Sequence, residues 1–333
     1  MYKKLCINLL LFILLATTAH AKSESDSLNK VYLLDPFRIF YTVNAEHSLP
    51  VDNQKDQNKN SIPDYVENIA LKLSAANILY TETFGLTNPL NNKRYQGKAR
   101  FIDVHLLNIE GRGTAGDEVV RYRYQMLKDK SDRVLVIKLS NNLRAESKTP
   151  QHEMFHLFQN GYTMFKNRWY TEGTARWSDY AFKKGVGNDQ PLPTSSEALS
   201  ALVKQDYGAS VFWNRLTYLC DRNAGQFALP KLPQQQITSY PTPFEDNTVH
   251  GYGFIKSLLE NLQYQSDKVS KERGYTAYNW DEDDQKYNAN NHVPIFCAIK
   301  QAITKTCGAE QLKTAEMSRF LSALELYTQK RCD

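Results

Sequence analysis

The stretch Thr149-Pro-Gln-His-Glu-Met-Phe-His-Leu-Phe-Gln-Asn-Gly161 constrains this chain more than any other. Thr149 is a good N-cap residue, Pro150 suits the first helical position and Gly161 suits a C-terminal stop, so the punctuation predicts one short helix. Inside it, His152 and His156 stand four residues apart and share a helix face, where both imidazoles can reach one metal ion. Glu153 follows the first histidine and can touch a water on that ion. The pattern H-E-x-x-H is that of a zinc hydrolase, with Glu153 as general base. The bland alternative is a pair of buried histidines on an ordinary amphipathic helix.

Two histidines need a third protein ligand, with a fourth position open for water. A continuation H-x-x-G-x-x-H would put glycine at 159 and histidine at 162. The chain has Gln159 and Tyr162, which excludes the metzincin pattern. His47, His105, His250 and His292 are the other histidines beyond the N-terminal segment. The best candidate for the third ligand is Glu172, 16 residues beyond His156, far enough for a turn and a return onto a second helix. Gly173 beside it allows close helix–helix approach near the metal.

A second ligand pattern lies upstream, in Asp56-Gln-Asn-Lys-Asn-Ser-Ile-Pro-Asp-Tyr-Val-Glu67. Counted from Asp56 as position 1, oxygen-bearing side chains fall at positions 1, 3, 5, 9 and 12: Asp56, Asn58, Asn60, Asp64 and Glu67. Ile62 stands where an EF-hand loop uses a backbone carbonyl. This is the spacing of a calcium loop. Ser61 replaces the usual turn glycine and no helix leads in, so the expectation is a calcium loop feeding a single helix. The competing reading is an Asx-rich turn that caps that helix without metal.

The N-terminus reads as a secretory signal peptide. Lys3 and Lys4 precede a short apolar run from Leu5 to Ala16, and Ala19-His20-Ala21 suits cleavage. That run is too short to span a bilayer, which takes ~20 residues. The expectation is a secreted or periplasmic protein, with residues 1–21 removed and no stable membrane insertion afterwards. Basic residues number 41 against 36 acidic ones, a balance too mild to argue for nucleic acid. Beyond the signal, Cys220, Cys297, Cys307 and Cys332 remain. Four cysteines in an exported chain suggest two disulfides, in any of three connectivities, and both would lie in the C-terminal half.

Hydrophobic patterning places strands at 37–43, 100–107, 119–124 and 133–139, and a helix with a core-facing stripe from Val66 to Tyr80. Gly111–Gly116 lacks the Lys-Ser/Thr of a phosphate loop and reads as a flexible turn. Beyond Gly161 the pattern is helical, starting near Trp169, Tyr207, Tyr252, Ile295 and Ala309, with a proline-containing loop from 230 to 243. The acidic run Asp281–Asp284 reads as solvated surface, with a second calcium site as a weak option. The predicted fold class is α+β. An N-terminal α/β part (22–148) carries a mixed sheet with helices, and a mostly helical part (149–333) carries the metal helix. The two together form one catalytic unit.

The pair His152-Glu-Met-Phe-His156 and Trp169-Tyr-Thr-Glu172-Gly-Thr-Ala-Arg-Trp177, with the acidic loop upstream, resembles secreted bacterial metallopeptidases of the zincin (gluzincin) clan. The likeness spans roughly residues 37–215. It implies a zincin-like fold, zinc on His152, His156 and Glu172, a calcium-like element at 56–67, and peptide or protein substrates cleaved by zinc-activated water. It also implies a second transition-state donor, for which His250, Tyr252 and Tyr207 are candidates, each near a helix start. The 133–139 strand would then pair with substrate backbone. One departure stands out: the clan places an acid four positions after the ligand glutamate, and here that position is Arg176, the nearest acid being Asp179. A non-catalytic binding protein on the same scaffold, at the cell surface or in the periplasm, is the alternative, against which the intact Glu153 argues.

Overall fold

A computed structural model describes residues 27–128, 131–221, 224–233, 240–280, 285–329 and 331–332. The segment read as a signal peptide and the acidic run 281–284 lie outside the described residues.

The N-terminal half is built on a mixed six-stranded sheet. Its strands are β1 (Lys30–Leu34), β2 (Phe37–Tyr41), β3 (Phe101–Leu107), β4 (Gly113–Ala115), β5 (Val120–Arg123) and β6 (Ser131–Ser140). The order is β1-β2-β3-β6-β4, with β5 also pairing β6. β2, β3 and β6 run parallel, while β1, β4 and β5 are antiparallel to their neighbours. Alternation sorts the two faces. Ile39, Tyr41, Ile102, Val104, Leu106, Leu135, Ile137 and Leu139 join the main core. On the opposite face Phe40, Leu107 and Tyr124 form a smaller cluster, beside the buried Arg38–Asp103 ion pair.

Helix α1 (Asp64–Ile78) follows the 56–67 loop, with Asp64 and Glu67 in its first turn, where carboxylates complement the helix dipole. It is buried on every side from Asp64 to Ala76, not along one stripe, because it lies between the sheet and the metal helix. Even Lys72 is 2% exposed; its ammonium donates to the carbonyls of Ala145 and, at 2.8 Å, Ser147, tying down the loop that enters the metal helix. Burial lowers its pKa to about 8.

The C-terminal half is helical: α2 (Thr149–Tyr162), α3 (Arg168–Ser178), α4 (Ser196–Leu202), α5 (Ser210–Leu219), α6 (Tyr252–Arg273), α7 (His292–Thr306), α8 (Ala309–Leu312) and α9 (Ala315–Thr328). One hydrophobic cluster runs from Phe37 in the sheet to Leu324 in α9, so both halves share a core. Disulfides Cys220–Cys307 and Cys297–Cys332 staple the ends of α5 and α7 and the C-terminal tail. Among the described residues no helix is long and apolar enough to cross a membrane.

Several boundaries differ from the sequence expectation. Residues 30–34 pair with β2 as a strand that the patterning does not place. The Gly111–Gly116 turn contributes β4, held by pairing to β6 rather than by side chains. α4 is a short helix that patterning alone does not reveal, capped by Ser195. Thr149 is the first helical residue rather than the cap, and its N–H donates to Ser147 Oγ at 3.3 Å. α2 continues through Gly161 to Tyr162, and the Thr163 N–H closes the last turn on Gln159 O.

Candidate metal centre

α2 and α3 pack against each other and bring three side chains together. His152 Nε2 lies 3.3 Å and His156 Nε2 3.5 Å from the same Glu172 oxygen, Oε2. An ion bound tetrahedrally at ~2.0–2.1 Å separates its ligand atoms by about 3.3 Å. The two measured edges therefore match a small first-row ion. Among the described residues, this is the one group of three or more His, Cys, Asp or Glu whose donor atoms converge for a metal. Close packing behind the site depends on Gly173. A Cβ there would stand 2.6 Å from the Trp213 ring on α5 and 3.2 Å from Ala209, so any side chain would push α3, and Glu172 with it, away.

Each ligand is oriented from behind. His152 Nδ1 faces Asp179 Oδ1 at 3.4 Å. Asp179 lies seven residues after Glu172, two helical turns along the same face, and takes the task that position 176 cannot perform with an arginine. His156 Nδ1 donates to Gln159 Oε1 at 2.7 Å, which turns Nε2 toward Glu172 and leaves it available to a metal. Gln159 is fixed in turn by donating to Thr171 O at 2.9 Å and Thr174 Oγ1 at 2.6 Å, both on α3. Arg168 lies 3.6 Å from Glu172 Oε1 and 3.0 Å from Asp206. Gln159 carries no motif, but its place three residues after His156 on one helix was the signal that could have revealed it.

The electrostatics follow from this crowding. Burial opposes the charged form of His152, yet Asp179 and Glu172 outweigh it and raise its pKa to about 10. Burial likewise opposes ionisation of Glu172, but the two imidazoles hold it well below the usual carboxylate range. Burial raises Glu153, with the histidines pulling the other way. A cation between the three ligands would displace the protons on the histidines and lower Glu153 as well.

Of the three candidate ligands, His152 lines a cleft of about 910 Å³. His152, Glu153 and Tyr207 line it together with residues 140–149, Arg112 and Gly113. β4 borders the metal helix closely: a Cβ on Gly113 would stand 2.9 Å from Thr149 Cγ2 and 3.0 Å from Glu153 Cγ. β6 (131–140) is flanked by β3 on one side and by β4 and β5 on the other, so it is not free to pair with substrate. The strand at that end of the sheet is β4.

The three candidate transition-state donors separate. Tyr207 stands in the cleft, its ring 6.1 Å from that of His152. Burial and the nearby Glu172 carboxylate push its pKa up to about 12. His250 instead pairs with Asp221 at 2.5 Å and lines a separate cavity of about 120 Å³ behind Trp177, sharing no lining residue with the cleft. Tyr252 stacks on Phe84 at 5.3 Å. A helix start carries no information about which side of the core it meets, so their position in sequence was misleading. His47, His105 and His292 sit elsewhere, each against a neighbouring N–H or hydroxyl.

The 56–67 loop is closed on itself. Asp56 accepts from the Asn60 and Ser61 N–H groups, and Asp64 from Gln57 N–H. Asn58 and Asn60 turn their Nδ2 groups to Glu67, at 3.0 and 2.8 Å. Ser61 has φ 72°, the left-handed conformation expected of the sixth position of a calcium loop. The bonds are those of an Asx-rich turn, and two of the expected ligand side chains present nitrogen rather than oxygen to the loop's centre.

No family model, no curated protein and no solved structure matches this chain.

Proposed function

We propose that this protein is an exported zinc-dependent peptidase with a zincin-like site. The observation that carries the reading is the convergence of His152, His156 and Glu172 on one point, with Glu153 buried beside them and, like His152, lining an open cleft. Two disulfides suit an oxidising compartment, in agreement with the signal-like N-terminus.

Zinc held by His152, His156 and Glu172 would supply a Lewis acid and would lower the pKa of a water toward ~7. The chain's own residues do the rest. Glu153 takes a proton from the attacking water and delivers it to the leaving amine. Asp179 and Gln159 hold the imidazole rings with Nε2 facing inward. Tyr207, kept protonated, is placed to donate a hydrogen bond to the developing oxyanion. β4 offers backbone groups to an extended peptide lying along the cleft.

For the 56–67 loop we propose a structural calcium site. The ligand spacing and the left-handed Ser61 support it. Binding would require the Asn58 and Asn60 amides to turn over and present oxygen.

The test is metal analysis and peptide-library cleavage on wild type and Glu153→Gln side by side. The expected result is about one zinc per chain in both, with cleavage by the wild type alone. Zinc in the wild type without cleavage of any library peptide would overturn the peptidase reading.

A further inference from the structure

The cleft is unusually rich in cations. Five of its lining residues are Arg112, Arg144, Lys148, Arg176 and Lys183, against three acids, Glu146, Glu153 and Asp179. Most of these charges are committed. Lys148 pairs with Glu245 at 2.8 Å and Lys183 with Asp179 at 3.8 Å. Glu153 stands beside the metal ligands, Asp179 faces His152, and Glu146 lies within electrostatic reach of the buried Lys72. Arg112, Arg144 and Arg176 are left exposed, and among the described residues no carboxylate stands within ion-pair distance of any of them. They come from three separate elements: the turn before β4, the loop entering α2, and the outer face of α3. Each presents a planar fork of N–H donors that matches a carboxylate.

Resting on the peptidase reading above, we infer that the preferred substrates are acidic peptides, with Asp or Glu side chains flanking the scissile bond and engaging Arg112, Arg144 and Arg176. The charges surround a cleft bordered by a β-strand rather than forming the continuous stripe that tracks a phosphate backbone. Arg176 is available for this because Asp179, not residue 176, orients His152.

The experiment uses two fluorogenic peptides, identical except for Glu or Gln on both sides of the bond that the wild type cuts. One exposed ion pair is worth up to about a fivefold factor, so two or more together give roughly tenfold. The Glu peptide should have a kcat/KM roughly tenfold above the Gln peptide. That ratio should shrink toward one at ~1 M salt, where the Debye length is about 3 Å. In Arg144→Glu/Arg176→Glu, with zinc content and melting temperature checked, the ratio should fall to one or invert. Equal cleavage of the two peptides by wild type overturns the inference and leaves the peptidase reading intact. Binding of both peptides to zinc-loaded Glu153→Gln separates the two ideas. Tenfold tighter binding of the Glu peptide, with no cleavage of either by wild type, sinks the hydrolase reading and upholds the acidic-ligand preference. Displacement of the Glu peptide by a short oligonucleotide at lower concentration would overturn the inference in favour of a nucleic-acid ligand.

Discussion

On α2 two imidazoles leave the backbone one turn apart, and the helix itself aims them at the same place. In the 56–67 loop five oxygen-bearing side chains are spaced just as suggestively, yet they bond to the loop's own N–H groups and to one another. The two regions differ in what holds the donors. Around His152 and His156, Asp179 just beyond α3 and Gln159, itself held by α3, face the outer nitrogens and leave the inner ones turned toward Glu172. In the loop the side chains bond to its own backbone N–H groups and to one another. Ligand spacing is therefore worth more when a rigid element and a neighbouring helix enforce it than when a turn can close around itself.

The largest expected effect strikes the metal region at its chemistry. Glu153→Gln should lower kcat by at least the ~10²–10⁴ factor typical of a general base, with bound zinc unchanged by elemental analysis. If peptide cleavage survives, the site is held together for some purpose other than hydrolysis.

Next comes the frame under α2. Asp117 is buried between Arg94 and Lys166, and those two cations also bond to Asn160 near the end of the metal helix. Asp117→Asn should destabilise the protein by about 3–5 kcal/mol in urea unfolding, because it leaves buried cations uncompensated. Burial works against this carboxylate, but Lys166 and Arg94 prevail and hold its pKa below the ordinary value. Its contribution is thus present above pH ~4, where the unfolded chain is also ionised, and is lost as pH falls through the lower, folded value. The wild type should lose stability in that acid window, and Asp117→Asn should lack this part of the loss.

A smaller effect sharpens the comparison at the imidazoles. Gln159→Leu and Asp179→Asn should each weaken zinc affinity by about 10–100-fold, measured by chelator competition, without preventing folding. An unchanged affinity in both would mean that α2 alone aims the rings. The smallest change belongs to the loop. In EDTA, Asp56→Ala should cost about 1 kcal/mol, the scale of a lost capping group. If calcium raises the melting temperature of wild type but not of the variant, the loop is a calcium site. Identical calcium responses in the two proteins would make it an Asx-rich turn and nothing more.

Much of the fold was legible because long periodic segments reveal their burial. Strands β2, β3 and β6 and helices α1, α2 and α6 fall close to where alternation and helical spacing put them. β4 was not legible: its three residues include a glycine, and only pairing to β6 makes them a strand. The patterning predicted a single core-facing stripe along this helix, whereas α1 is enclosed on all sides and the Lys72 ammonium finds carbonyls of a loop some 70 residues away.

The sequence by itself determined which residues could meet a metal. H-E-x-x-H fixes two donors and a base through the 3.6-residue turn, and Glu172 with Gly173 stands out as a glutamate that can come close. Those relations are local, so one stretch of chain contains them. Only the tertiary structure decided what surrounds them: that Asp179 and Gln159 orient the rings, that Tyr207 shares the cleft while His250 and Tyr252 do not, and that three exposed arginines line it. Such relations depend on how α3, α5 and β4 pack around α2, and packing is set by the shape of the whole core rather than by any short run of residues.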